Sequence, residues 1–152
     1  MKFKNAVNKY LRTRQFNSLA NSSQKNYESC FTVFCRMSVM GRKLGNVDLD
    51  KLSIAMCSEI YDTWELVTSI SNANHNARVF SVLINYLISM EIMTLNPMAR
   101  VRKRHSEPRS VVWTHDQVLS FLDSAFTKFE WRNIGLIVLM CYEWGQRPID
   151  IR

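Results

Sequence analysis

The chain has 152 residues, with 20 Lys and Arg against 13 Asp and Glu, a formal net charge of +7, and 47% hydrophobic residues. That composition excludes global disorder and suffices for one domain, or for one small domain plus part of another. The basic surplus suits a polyanion, nucleic acid before an anionic membrane surface, and is equally the composition of a soluble protein that is simply basic.

The first predicted helix covers about residues 4–15, with Phe3, Val7, Tyr10, Leu11 and Arg14 on one side and Lys4, Lys9 and Arg12 off the stripe. No acidic residue precedes Glu28. A second helix is expected to open at Ser22 or Ser23, both good caps, to bury Tyr27, Phe31, Phe34 and Cys35, and to stop at Gly41. Leu49 and Leu52 lead into a third, on which Ile60, Tyr61, Trp64 and Val67 share a face. Ser71 and Asn72 are cap candidates for a fourth, with Ala77, Phe80, Ile84, Leu87 and Ile88 inward. Its early polar face carries Asn74, His75, Asn76 and Arg78, and it is expected to end near Asn96-Pro97, because a residue before proline is pushed out of the helical region. Residues 1–99 therefore read as four amphipathic helices in a compact bundle.

Arg100, Arg102, Lys103, Arg104 and Arg109, with one acid and one proline among them, read as an exposed basic linker over 100–109. Residues 110–152 read as the start of a second domain. Residues 110–113 suggest a short strand, Thr114 and Gln117 a capping box, and Val118, Leu119, Leu122 and Phe126 the inward face of a helix. A helix from Trp131 to Trp144 is apolar on nearly all sides, as expected inside a larger domain. Gly145 ends it and Pro148 fits the first turn of a further helix, at which the chain stops; the expectation is a second domain cut short at Arg152.

Arg147 stands at that helix start, where a guanidinium beside unpaired backbone N–H groups favours phosphate. Asp150, three residues on, orients the guanidinium or caps the helix, or the two form an ordinary structural ion pair. The four cysteines have no CxxC spacing and the three histidines are scattered, so neither a disulfide nor a metal site is expected. The basic N-terminus lacks the apolar run of a secretory signal, and the stretch from Ile134 to Tyr142 falls short of the ~20 residues that span a bilayer, so the expected location is cytoplasmic and without membrane attachment.

The ordered set resembles the tyrosine recombinase or phage integrase family. Ser22 to Tyr27 with Phe31 and Phe34 looks like the family's second helix; Asn74 to Arg78, Tyr86-Leu87 to Ile92 and Asn96-Pro97 look like its fourth and the close of its core-binding domain. The basic linker, then Trp113-Thr114 and Asp116-Gln117-Val118, is similar to the opening of the catalytic domain, and Gly145 to Ile151 to the stretch with its first catalytic arginine. The resemblance implies an all-α, SAM-like four-helix core-binding bundle and a truncated, mainly helical catalytic domain. It also implies double-stranded DNA as partner, tetramers on paired sites, and no metal or nucleotide cofactor. In such enzymes a tyrosine attacks a DNA phosphodiester to form a 3′-phosphotyrosyl link and release a 5′-hydroxyl. Arg147 would stabilise the transition-state phosphate, with Asp150 in support. The remaining catalytic residues have no counterpart here, and all five tyrosines precede Arg147, so this chain is expected to bind DNA without cutting it and to be monomeric off DNA. Lys25, Asn74, His75, Asn76 and Arg78 are candidates for a groove or for solvated surface, and Arg100, Arg102, Lys103, Arg104 and Arg109 for phosphates or for a basic hinge. The rival classes are a non-enzymatic helical DNA-binding regulator and a protein-interaction module.

Overall fold

The computed structural model describes residues 1–105, 107 and 112–151. They are mostly helical and fall into two compact units, Met1–Ser106 and Glu107–Arg152. No helix among them is long and apolar enough to cross a membrane.

The first unit rests on four long helices, α1 (Phe3–Leu11), α3 (Asn21–Arg36), α4 (Ile54–Val67) and α5 (Ile70–Ser89), with a single-turn α2 (Arg14–Asn17). Phe3, Ala6, Val7 and Tyr10 recur at helical spacing and are all buried. The first helix stops at Leu11 instead of running to residue 15. The Thr13 hydroxyl donates to the Tyr10 carbonyl (2.7 Å) and accepts from the Phe16 N–H (3.1 Å), closing α1 and capping α2. Arg14 is consequently exposed rather than inward.

The second long helix, α3, begins at Asn21, ahead of the expected serines, and has no side-chain cap. The Gln24 amide ties down the preceding turn instead, donating to the Leu19 carbonyl at 2.8 Å. Phe31 and Phe34 are buried; Tyr27 and Cys35 are half-buried. Gly41 is not the stop for this helix, which ends at Arg36. It lies in a β-hairpin of two short strands, β1 (Ser38–Val39) and β2 (Arg42–Lys43), with Ser38 opposite Lys43. The turn needs positive φ at both central residues, supplied by Met40 (47°) and Gly41 (73°). Methionine is a poor residue for that conformation, and the Met40 N–H is held from outside by Glu59 Oε1 at 2.9 Å.

Two 3₁₀ turns follow and bury Leu44, Val47, Leu49 and Leu52. Ser53 caps α4, on which Ile60, Tyr61 and Trp64 are buried while Val67, its last residue, is 74% exposed. The cap of α5 is Ser69, two residues ahead of the expected one, accepting from the Asn72 N–H. Ala77, Phe80, Ile84 and Leu87 are buried as expected, Ile88 only partly. The helix ends at Ser89, short of Asn96-Pro97, because Glu91 turns left-handed (φ 57°). The Ile92 and Glu91 N–H groups then bond the Leu87 and Ile88 carbonyls, both at 2.9 Å, a Schellman ending without glycine. Asn96 instead caps a 3₁₀ turn over Pro97–Arg100.

At the centre of this core the Phe80 ring lies 5.3 Å from Phe3, 5.9 Å from Phe34 and 6.0 Å from Trp64. These are separations at which aromatic pairs attract beyond their area burial.

The second unit contains α6 (His115–Thr127) and α7 (Arg132–Trp144). The Thr114–Gln117 capping box is present. Val118 and Leu122 point inward with Ala125, whereas Leu119 and Phe126 are exposed, contrary to the expected inward face. Gly135 is where the helices touch: a Cβ there would lie 3.1 Å from both Ala125 and Phe126. His115 Nδ1 and the Tyr142 hydroxyl, 2.8 Å apart, join the helices a second time. Gly145 (φ 63°) ends α7, and Pro148–Ile151 form one 3₁₀ turn. Ser110 and Val111 of the expected strand lie outside the described residues, and Val112 and Trp113 form no regular structure.

Candidate functional site

The basic segment after α5 is the most densely charged stretch, and its first half belongs to the first unit while its cationic side chains are exposed. Met98 is fully buried and Val101 buried, which fixes the chain on both sides of Arg100. Three residues further, Arg104 is held by its backbone. Its N–H donates to the Tyr61 hydroxyl at 3.0 Å, and its carbonyl accepts from Asn74 Nδ2 at 2.9 Å. The Tyr61 hydroxyl in turn donates to Asn74 Oδ1 at 2.9 Å, so the three residues close a ring in which each donates one bond and accepts one. The Arg104 guanidinium meets Glu65 Oε1 at 2.9 Å.

This assigns the candidates different positions. Arg100, Arg102 and Lys103 are exposed. Arg104 is paired with Glu65 instead of standing ready for phosphate. Asn74 makes one bond at each end of its amide inside the protein, which fixes its orientation. Arg109 lies outside the described residues.

The early turns of α3 and α5 come together. His75 Nε2 is 3.0 Å from Asn26 Nδ2, and the Cys30 thiol donates to Asn76 Oδ1 at 3.7 Å. Lys25 is exposed beside Asn26, and Arg78 is exposed with its Nε donating to the Asn74 carbonyl at 3.3 Å. The result is a polar seam of Asn26, Cys30, His75 and Asn76 flanked by two cations. Sequence reasoning missed Tyr61, Glu65 and Asn26. The Tyr61–Glu65 spacing of four places both on one face of α4, which was visible in the sequence; their common partner at residue 104 was not.

In the second unit Arg147 Nε donates to Asp150 Oδ2 at 2.9 Å, with the arginine side chain 81% exposed. The Asp150 N–H bonds the Arg147 carbonyl at 2.9 Å, so the turn and the ion pair support each other. This geometry orients the guanidinium and is equally that of a structural pair.

The tyrosines are in use elsewhere. Tyr10 and Tyr61 are buried, Tyr86 packs on Tyr10 with ring centres 5.3 Å apart, Tyr27 packs on Phe31, and Tyr142 bonds His115. Burial pushes the Cys30 and Cys35 thiols up, and that of Cys57 up to about 12, which disfavours their thiolate forms. Among the described residues no group of three His, Cys, Asp or Glu side chains is placed to hold a metal ion. No protein-family model, no curated protein and no solved structure matches the chain.

Proposed function

We propose that this chain binds double-stranded DNA, as the core-binding portion and the first part of the catalytic domain of a tyrosine-recombinase-type strand-transfer enzyme. In this reading the first unit is a SAM-like core-binding bundle. The observation that carries it is the run of exposed cations at Arg100, Arg102 and Lys103, held on the bundle by buried neighbours. A chain of cations presented from a folded surface neutralises backbone phosphates and releases their counterions. The polar seam with its His75 and Asn76, together with the flanking Lys25 and Arg78, is the proposed groove-facing surface, and Arg147, oriented by Asp150, the proposed phosphate ligand of the catalytic part. Within these 152 residues the family's nucleophile has no counterpart, so the proposed activity of this chain is binding, not cleavage.

The test is fluorescence anisotropy of a labelled duplex across a salt series. Duplex binding should weaken linearly on log–log axes with a slope of about −0.9 per phosphate contact. Arg102→Ala/Lys103→Ala should reduce that slope by about 1.8. No duplex binding at low salt would remove the proposal. A second reading, a protein-interaction module, draws on the exposed Phe129, Trp131, Leu136 and Trp144 of the second unit. It predicts binding to a protein partner that is insensitive to salt.

A further inference from the structure

We infer that Tyr61 and Asn74 are positioning residues for nucleic-acid binding: they form a latch that holds the basic segment in the path at which Arg102 and Lys103 meet phosphate. This inference rests on the DNA-binding reading above and names the groups that prepare that surface.

A free basic strand is poorly prepared for its ligand. Four cations in five residues, Arg100 and Arg102 to Arg104, repel one another. Left in solution they would sample many paths, and ordering them on a phosphate backbone would cost conformational entropy at the moment of binding. Here the segment is held at two points instead. Val101 is anchored by burial of its side chain, and Arg104 by both of its backbone polar groups. Only Arg102 and Lys103 lie between the anchors, and both side chains are exposed. A two-residue span held at each end has little freedom left to lose.

The second anchor is chemically specific. The Tyr61 O–H donates to Asn74, the Asn74 amide to the Arg104 carbonyl, and the Arg104 N–H to the Tyr61 oxygen. Donation runs one way around the ring, so the bonds that meet at the Tyr61 hydroxyl and at the Asn74 amide polarise one another. Tyr61 is 1% exposed, so its ring is set by the core of the bundle, and its hydroxyl carries that rigidity to residue 104. Asn74 sits in the second turn of α5, next to His75 and Asn76 of the polar seam. The latch therefore couples the placement of the basic segment to the start of α5. Neither residue needs to touch DNA for this role.

Tyr61→Phe removes one oxygen, keeps the buried ring, and leaves the Arg104 N–H without its partner. Two measurements on the purified 152-residue chain decide the matter: amide hydrogen exchange at Arg104, and duplex anisotropy across a salt series, with thermal melting as a check on folding. Exchange at Arg104 should rise about tenfold while the α5 core amides keep their protection. Duplex affinity should fall about 3- to 10-fold with the salt slope unchanged, because the phosphate contacts are retained but no longer prepared. Asn74→Leu, which breaks the ring at its other side-chain member, should reproduce both effects. Unchanged exchange at Arg104 in both variants overturns the latch. Faster exchange with unchanged affinity overturns its role in binding, and so does a salt slope reduced by a whole contact, which would make Tyr61 or Asn74 a direct ligand. If the unmutated chain binds no duplex, the DNA reading fails and this role with it, while the exchange rates still report whether the latch holds the segment.

Discussion

Replacing Glu65 by glutamine should tighten duplex binding, and the size of the effect follows from what Glu65 does to Arg104. The carboxylate meets the guanidinium at 2.9 Å; the arginine side chain is 71% exposed and the glutamate 16%. A phosphate approaching Arg104 must displace an anion already in place. Glutamine keeps the shape and an acceptor oxygen but not the charge, so phosphate competes with a neutral amide. One additional phosphate bound to Arg104 steepens the salt slope by about 0.9, equivalent to about a 3.5-fold larger affinity loss between roughly 50 and 200 mM salt. The arginine end of the pair is largely solvated, so folding stability should change by less than about 1 kcal/mol. The assay is a double-mutant cycle in duplex anisotropy. Arg104→Ala should leave the slope nearly unchanged in the wild-type background and reduce it by about 0.9 in the Glu65→Gln background. An equal loss in both backgrounds would mean that Arg104 reaches phosphate with Glu65 intact and that the carboxylate does not hold it back.

Three further outcomes test the fold of the two units, each by itself. Phe80→Ala, which empties the centre of the cluster formed with Phe3, Phe34 and Trp64, should cost about 3–5 kcal/mol in urea denaturation. Thr114→Ala removes the hydroxyl that caps α6 and should cost the helix about 1 kcal/mol, seen as faster exchange at the Gln117 amide. Cys57 has its thiol raised from the ordinary 9.0 to about 12 by burial. A raised value stabilises the fold fully below 9.0 and loses that contribution as pH climbs from 9.0 towards 12. Cys57→Ala should therefore flatten the alkaline side of the stability profile measured by denaturant titration, and an unchanged profile would show that Cys57 does not contribute to it.

Much of the helical framework was legible from residue order alone. Phe3, Val7 and Tyr10 on α1 and Ala77, Phe80, Ile84 and Leu87 on α5 repeat at the helical period, and all are buried. The Thr114–Gln117 box and the Gly145 ending are local hydrogen-bond and backbone chemistry, complete within a few residues, and so were readable without any knowledge of the fold. The candidate cations were legible for the same reason, because charge density is a property of the chain itself.

Much of what escaped the sequence depended on partners far along the chain. Met40 accepts a left-handed conformation although its residue type disfavours it, and the compensating Glu59 is 19 residues away. Glu91 ends α5 where a glycine would have announced the turn. Asn74 carried the same local signature as a base-reading residue, an amide on an exposed early turn. Its partners are Tyr61, 13 residues before it, and Arg104, 30 after. Local periodicity determined which residues face the core and where charge gathers. Tertiary packing alone decided which polar groups are already satisfied, because a hydrogen bond depends on distance in space and leaves no spacing in the sequence.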